Sequence, residues 1–511
     1  MKKILRFLIS RTFWLSLLII VQLGIFAMIL LNISRFSNYL YLAFVLLSLA
    51  IVIWLVAKDD NPSYKITWII LIMTLPVLGG VFYLKFGNKT LPRHYGERMA
   101  AHRRQFPALY EQESGDTAAL LAEHPRFGVQ TGYVRRVSGY PVYGGTAVEY
   151  LPLGEDFFRA LQEELPRAKR FIFLEYFILE KGLMWDTVLE ILKERAAAGV
   201  EVCLIYDDFG CIQRLPASYP KELAAYNIKA FPFNAMRPSL DPTLNYRDHR
   251  KVCVIDGKVG MTGGVNLADE YINRVERFGH WKDSGICLHG EAVWSFTVMF
   301  LQMWSTITGM ECDFESYRPE IYHKEAFKKD GFVQPYGDSP LDGETVGEHV
   351  YLNIISQAKK YLYIFTPYLI PDNETLTALC MAAKRGVDVR IVTPGIPDKK
   401  IVYILTQANY EILLESGVQI YQYTPGFIHS KSFVCDDEVA TVGTINMDYR
   451  SMYLHFECGV WMYGSSAVAQ VKEDALITFE QCEQINMDYC RKKNFAVRAL
   501  RGALKFLAPL L

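Results

Sequence analysis

Apolar and polar residues alternate along this chain in different rhythms from one end to the other. The N-terminal part carries three long apolar runs, Thr12–Leu31 after Arg11, Tyr39–Ala57 before Lys58, and Ile66–Leu84 before Lys85, none with a charge inside. Each approaches the ~20 residues that a helix needs to cross the hydrocarbon layer of a bilayer. The first run is long for the apolar part of a cleaved signal, no small-residue cleavage site follows it, and a second run comes at once, so a retained anchor is expected over 1–87. Lys2, Lys3, Arg6 and Arg11 mark the N-terminus as cytoplasmic, and Lys85, Lys89, Arg93 and Arg98 mark the far side of the third run in the same way. Three full spans cannot satisfy both. Pro76, Gly79 and Gly80 interrupt the third run, so two spans and one irregular segment are expected. The rest of the chain then lies on the cytoplasmic side of the cell membrane.

Residues 88–130 are polar and mixed, with Pro92, Pro107 and Pro125, and read as a linker with short helices. Beyond them the pattern repeats. Ala168-Lys169-Arg170-Phe171-Ile172-Phe173-Leu174 matches Ala358-Lys359-Lys360-Tyr361-Leu362-Tyr363-Ile364, each a helix end running into an apolar strand. Ala198-Gly199-Val200-Glu201-Val202 matches Arg385-Gly386-Val387-Asp388-Val389, each a helix closed by glycine before a strand. Ile228-Lys229-Ala230-Phe231 matches Val418-Gln419-Ile420-Tyr421 less closely. The same order in both halves points to duplication. Alternating strands and helices predict an α/β fold of two similar halves, 131–315 and 316–488, packed about a pseudo-twofold axis. In 489–511, Arg491, Lys492, Lys493, Arg498, Arg501 and Lys505 interleave with Phe495, Val497, Leu500, Leu504 and Phe506. This is a basic amphipathic segment suited either to an anionic membrane surface or to docking on the body.

Composition narrows the partners. Of 511 residues, 54 are basic and 55 acidic, so the basic footprint of a nucleic-acid binder is missing. The ten cysteines include no CxxC pair and read as reduced thiols of a body in a reducing compartment.

Two segments carry chemistry. His249-Arg250-Lys251-Val252-Cys253-Val254-Ile255-Asp256 is followed by Gly263-Gly264-Val265-Asn266. His429-Ser430-Lys431-Ser432-Phe433-Val434-Cys435-Asp436 is followed by Gly443-Thr444-Ile445-Asn446. Both read HxKxxxxD, and each Asn follows its His at the same interval. In a strand, residues two apart share a face, so each His projects beside its Lys. A returning strand would bring Asn266 and Asn446 to that face, where Lys and Asn supply N–H donors to phosphoryl oxygens. Asp256 and Asp436 open turns and read as structural, although they belong to the motif. The HxK pairing sets a cation beside each imidazole, and no His, Cys or carboxylate cluster stands at ligand spacing, so neither a metal nor any other cofactor is expected. Trp294, Phe296, Phe300 and Trp304, at roughly helical spacing, suit a core helix. Arg237 and Arg247, ahead of the first motif, suit a lipid phosphate or a surface ion pair equally.

On these residues the chain resembles the phospholipase D superfamily, whose signature is the duplicated HxKxxxxD; the likeness covers about 145–465. Asn61-Pro62-Ser63-Tyr64-Lys65, Phe86-Gly87, His280-Trp281-Lys282-Asp283 and Phe456-Glu457 make it similar to the bacterial cardiolipin synthases. The resemblance implies catalytic motifs His249, Lys251, Asp256 and His429, Lys431, Asp436. Phosphate binding falls to Lys251, Asn266, Lys431 and Asn446, and orientation of the histidines to Asp283 and Glu457. It implies transfer of a phosphatidyl group between phosphatidylglycerol molecules through a phosphohistidine, on a membrane containing anionic phospholipids. His249 takes the nucleophile's role by analogy, with His429 as acid and base, although the sequence itself does not separate the two. The carboxylates are expected to favour the imidazolium. Gly264 departs from the family pattern, where a hydroxyl residue is frequent and where Thr444 stands in the second motif. Hydrolysis by a phospholipase D or nuclease, another phosphatidyl transfer, and a non-catalytic membrane scaffold are the competing readings.

Overall fold

The structure, a computed structural model, describes residues 24, 35–75, 79–80, 82–87, 93–105, 115–235, 245–321, 323, 326–491 and 495–510. The chain divides into two compact units, one of residues 1–93, 236–245 and 503–511, the other of residues 94–235 and 246–502.

In the first unit, helix α1 spans Arg35–Val56 and α2 spans Pro62–Thr74. Asn61 caps α2 by accepting from the Ser63 amide at 2.9 Å, with Pro62 in the first turn, where its missing N–H costs nothing. Ile51, Leu55, Tyr64, Trp68, Ile72 and Tyr83 form a small buried cluster. Other apolar side chains stay exposed in helical stripes, Leu42, Leu46, Leu49 and Ile53 on α1, and Ile66, Ile70 and Met73 on α2. Side chains of α1 are described at Tyr39 and from Leu42 onward. Among the described residues no helix is long and apolar enough to cross a membrane. The expected first run, 12–31, lies outside the described residues apart from Gly24. In the third run α2 stops at Thr74, ahead of Pro76, as proline dictates for the residues before it.

The second unit holds two sheets of matching design. In the first half the strands are β1 (Thr146–Leu151), β2 (Phe171–Tyr176), β3 (Glu201–Asp207), β4 (Ile228–Phe233), β5 (Arg247–Asp248), β6 (Lys251–Ile255), β7 (Val259–Gly263), β8 (His280–Lys282) and β9 (Gly285–Gly290). In the second they are β10 (Phe332–Asp338), β11 (Tyr361–Phe365), β12 (Asp388–Pro394), β13 (Gln419–Tyr423), β14 (Gly426–Ile428), β15 (Ser432–Cys435), β16 (Val439–Gly443), β17 (His455–Tyr463) and β18 (Cys482–Ile485). The first sheet runs β1-β9-β7-β6-β2-β3-β4; the second runs β10-β17-β16-β15-β11-β12-β13-β18. Matched position by position, the orders are the same, with β18 added at one edge. This is the duplicated α/β fold that the sequence repeat predicts.

Central strands such as β2, buried at every residue, are near-continuous apolar runs because helices cover both faces. Helices α3 (Leu183–Ala197) and α4 (Asn373–Lys384) lead into β3 and β12 through Gly199 and Gly386, at φ +90° and +91°. That left-handed turn is what favours glycine there. Helix α5 (Val293–Thr308) follows the first half, with Trp294, Phe296, Phe300 and Trp304 all buried and Phe300 stacked on Phe173 at 4.4 Å. These aromatics are core, as their spacing suggests. Helix α6 spans Phe495–Leu507 over the basic amphipathic segment; within it Leu500 is exposed while Arg501 is buried and donates to Gln407 Oε1 at 2.8 Å.

The aspartates that close the two motifs do structural work. Asp256 accepts from the amides of Lys169, Arg170 and Phe171 at 2.8–2.9 Å. Asp436 accepts from Lys359, Lys360 and Tyr361 at 2.7–3.0 Å. Each pins the entry of β2 or β11, a strand's length from its histidine, roughly 20 Å at ~3.3 Å per residue. Within the motif their place is that of strand anchors, in line with their position where turns open. Asp256→Ala is expected to lower stability by about 3 kcal/mol, since three amides lose an ionised acceptor. Denaturant unfolding measures this; activity per folded molecule should hold.

Candidate active site

Each motif histidine hangs from a short parallel ribbon built with the opposite half. β5 pairs with the start of β17, and the His249 amide donates to Phe456 O at 2.9 Å. β14 pairs with β8, and the His429 amide donates to Lys282 O at 2.7 Å. The side chains cross in the same way. His249 Nδ1 donates to Glu457 of the second half, 2.9 Å from Oε1 and 3.0 Å from Oε2. His429 Nδ1 donates to Asp283 Oδ2 of the first half at 2.6 Å. Carboxylates therefore fix the Nδ1–H tautomer in both rings and leave Nε2 as the free nitrogen.

The lysines follow the period of the strand. Lys251 Nζ donates to His249 O at 2.5 Å, and Lys431 Nζ donates to His429 O. Charges of the two half-sites act on one another: Lys251 senses both Glu457 and Asp283, and Lys431 senses Lys251, Asp283 and Glu457. The two motifs therefore form one electrostatic cluster. His249 packs on Phe177 at 5.0 Å, and His429 sits among Tyr271, Trp281 and Phe427 at 5.4–5.7 Å.

Burial dominates the ionisation. It pushes His249 down to about 3, Glu457 opposing and Lys251 adding to the fall. It pushes His429 down to about 4, helped by Lys431 and opposed by Asp283. Burial also lowers Lys251 to about 8 and Lys431 to about 7 against the pull of the carboxylates. Burial raises Glu457 and Asp283, but the facing histidines outweigh it and hold both below the usual carboxylate range. As expected, each carboxylate pulls its ring toward the imidazolium, but desolvation outweighs that pull and sets the net direction downward.

The half-sites differ in how they hold their carboxylates. Glu457 accepts from the hydroxyls of Thr444 and Ser451. Asp283 accepts from the Ser284 amide at 2.9 Å, and Gly264 stands where Thr444 would be. A Cβ on Gly264 would lie 2.0 Å from Asp283 Oδ1. The shorter carboxylate and the missing side chain are thus one adaptation. Gly264→Thr is expected to displace Asp283 and cut kcat about a hundredfold with melting little changed, measured by turnover beside thermal unfolding.

Asn266 is already engaged, accepting from the Ile178 amide at 3.0 Å and donating to Tyr271 Oη at 2.7 Å, with one N–H left over. Asn446 keeps its side-chain oxygen buried without a partner. Arg247 is buried and pairs with Asp207 at 3.3 Å, an interior and not a surface ion pair; Arg237 lies outside the described residues. Sequence reading missed Ser451, Tyr271 and Phe177. Tyr271 and Ser451 follow Asn266 and Asn446 at the same interval, which is the signal that would have found them. It also missed a set of metal-ligating type: His249, His455 and Glu457 present donor atoms within 4.8 Å of one another. His455 and Glu457 stand two apart on one strand, but His249 joins them from the other half, which no local spacing announces.

The family model described as "Cardiolipin synthase, PLD-like domain" matches residues 161–304 and 351–476, and a phospholipase D-nuclease N-terminal model matches 45–88. A Streptococcus mutans protein without an assigned function is 42% identical over 460 residues, 90% of this chain and 99% of that one. A cardiolipin synthase of a Geobacillus species is 34% identical over 458 residues, 89% of this chain and 90% of that one. Among solved structures, a phosphatidylserine synthase of Haemophilus influenzae shares the fold at TM-score 0.56 and 16% identity, over 74% of this chain and 97% of that one.

Proposed function

The chain belongs to the PLD-like cardiolipin synthase family and is a phospholipid phosphatidyltransferase; from that premise we propose that it joins two phosphatidylglycerols into cardiolipin and glycerol through a phosphohistidine. The observation that carries the reading is the crossed pair of carboxylate-held imidazoles, each with a free Nε2 and a neighbouring lysine. His249 Nε2 attacks phosphorus. The bond from phosphorus to the headgroup glycerol oxygen breaks, and His429 protonates that oxygen. His429 Nε2 then takes the proton from the hydroxyl of a second phosphatidylglycerol, whose oxygen displaces His249. Lys251, Lys431, Asn266 and Asn446 would stabilise the phosphoryl oxygens.

Division of labour follows from the carboxylates. Glu457 spends charge on two hydroxyls, whereas Asp283 keeps more for His429. His249 accordingly stays neutral and nucleophilic, and His429 is the ring that gains a proton. The anionic phosphodiester, once beside His429, favours its imidazolium, and the Nε2 proton gained in that way is the one the leaving glycerol oxygen takes.

Transfer is favoured over hydrolysis by dryness. The His249 and His429 side chains are 9% and 8% exposed, which limits competing water. The exposed apolar stripes of α1 and α2 suit burial in lipid, in keeping with an N-terminal anchor. Mass spectrometry of products from purified protein in phosphatidylglycerol vesicles is the test. Cardiolipin with glycerol is expected; phosphatidic acid without cardiolipin would overturn the transfer. A second expectation concerns alkaline pH. Lys431 must be charged to meet phosphate, and it discharges above about 7 in the free site. kcat/KM, which reports the free enzyme, should therefore fall as pH rises through 7–8, while kcat stays flat to higher pH because bound phosphate raises the lysine.

A further inference from the structure

Trp281 and His455 occupy equivalent places. Each lies two residues before the carboxylate that orients a histidine, and each packs on that histidine, with ring centroids 5.4 Å apart for Trp281 and His429 and 5.5 Å for His455 and His249. One half fills the place with an indole; the other fills it with a second imidazole. Both ring nitrogens of His455 are buried without a hydrogen-bond partner, and Nδ1 stands 3.7 Å from Glu457 Oε1. That same oxygen is 2.9 Å from His249 Nδ1. Two imidazoles and one carboxylate thus converge with all donor atoms inside 4.8 Å. Ligands on a tetrahedral zinc ion stand about 3.3 Å apart, from metal–ligand distances near 2.0–2.1 Å. Small side-chain rotations would close the set.

We propose that His249, His455 and Glu457 form an inhibitory site for a borderline-soft divalent cation, Zn2+ above all. Two histidines and a glutamate are a donor set that zinc takes, with a fourth position left for water. The inhibition follows from the tautomer. In the active arrangement His249 carries its proton on Nδ1 and offers the Nε2 lone pair. A metal on Nδ1 moves that proton to Nε2, so no proton is lost but the attacking lone pair is. The metal also takes the Glu457 oxygen that positions the ring. Lys251 opposes a second cation nearby, which makes the site a reversible one and not a permanent structural centre. The inhibitory consequence rests on His249 as nucleophile; the metal site itself does not.

The test uses the full-length protein in phosphatidylglycerol vesicles with Zn2+ alone as probe. Zinc binding is read by competition with a fluorescent chelator, and transfer is read in parallel as zinc is raised and then removed with EDTA. One bound zinc and EDTA-reversible loss of transfer are expected. His455→Asn should abolish that binding and raise the half-inhibiting zinc at least tenfold relative to its own zinc-free rate. Unchanged binding in His455→Asn would overturn the site. Binding that leaves wild-type transfer untouched would overturn the inhibition. If the protein makes no cardiolipin at all, the chelator competition still decides the site, and the failure belongs to the proposed reaction.

Discussion

His249→Ala is expected to lower phosphatidyl transfer by ~10^4-fold or more, because it removes the atom that bonds to phosphorus. The loss should appear as absence of an intermediate, not only as a slow rate. With phosphatidylglycerol labelled in the phosphatidyl part, wild-type protein should hold an alkali-stable phosphohistidine label, and His249→Ala should hold none. His429→Ala removes the proton donor and acceptor and should cost ~10^2- to 10^4-fold. With a substrate whose leaving group needs no proton, that variant should still acquire label and then keep it, since nothing activates the incoming hydroxyl. Label on His249→Ala protein, or none on His429→Ala protein with the activated substrate, would reverse the assigned roles. Far-UV circular dichroism guards against unfolding. Neither substitution strands its carboxylate: Glu457 keeps Thr444 and Ser451, and Asp283 keeps the Ser284 amide.

Much of this arrangement is legible in the chain because it is local. The period of two in a strand places Lys251 beside His249 and Lys431 beside His429. Glycine at 199 and 386 marks where helices stop. Repeated apolar runs expose the duplication, and the matching strand orders of the two sheets follow from it. Aspartates 256 and 436 sit where turns open, and each gathers three amides. What depends on tertiary packing was not legible. No spacing tells that Glu457 reaches across to His249 and Asp283 to His429, because each lies closer in sequence to the other histidine. Nor does spacing tell that desolvation outweighs a facing carboxylate; that needs burial. Gly264 read as a lost hydroxyl, and only the 2.0 Å approach of Asp283 to its would-be Cβ explains it. Convergence of His249 on His455 and Glu457 was hidden for the same reason.

The crossing itself can be tested by kinetics. Glu457→Gln should impair His249 and therefore formation of the phosphohistidine, by about ten-thousandfold, the scale of losing the carboxylate that sets a catalytic tautomer. Asp283→Asn should impair His429 to a similar degree, and therefore glycerol departure and acceptor activation. On natural substrate both variants are slow and look alike. On the activated substrate they should part. Asp283→Asn acquires label at nearly the wild-type rate and releases it slowly, whereas Glu457→Gln acquires label slowly. Were each carboxylate to serve the histidine of its own half, the two behaviours would be exchanged. The hydrogen bonds argue against that exchange: 2.9 and 3.0 Å from His249 to Glu457, and 2.6 Å from His429 to Asp283. The backbone argues the same way, since β5 with β17 and β8 with β14 carry each histidine on a ribbon shared with its partner carboxylate's half. Neither half alone can then orient its own histidine. A half produced by itself should keep its HxK pair and bind phosphate weakly, yet transfer nothing until the other half is restored.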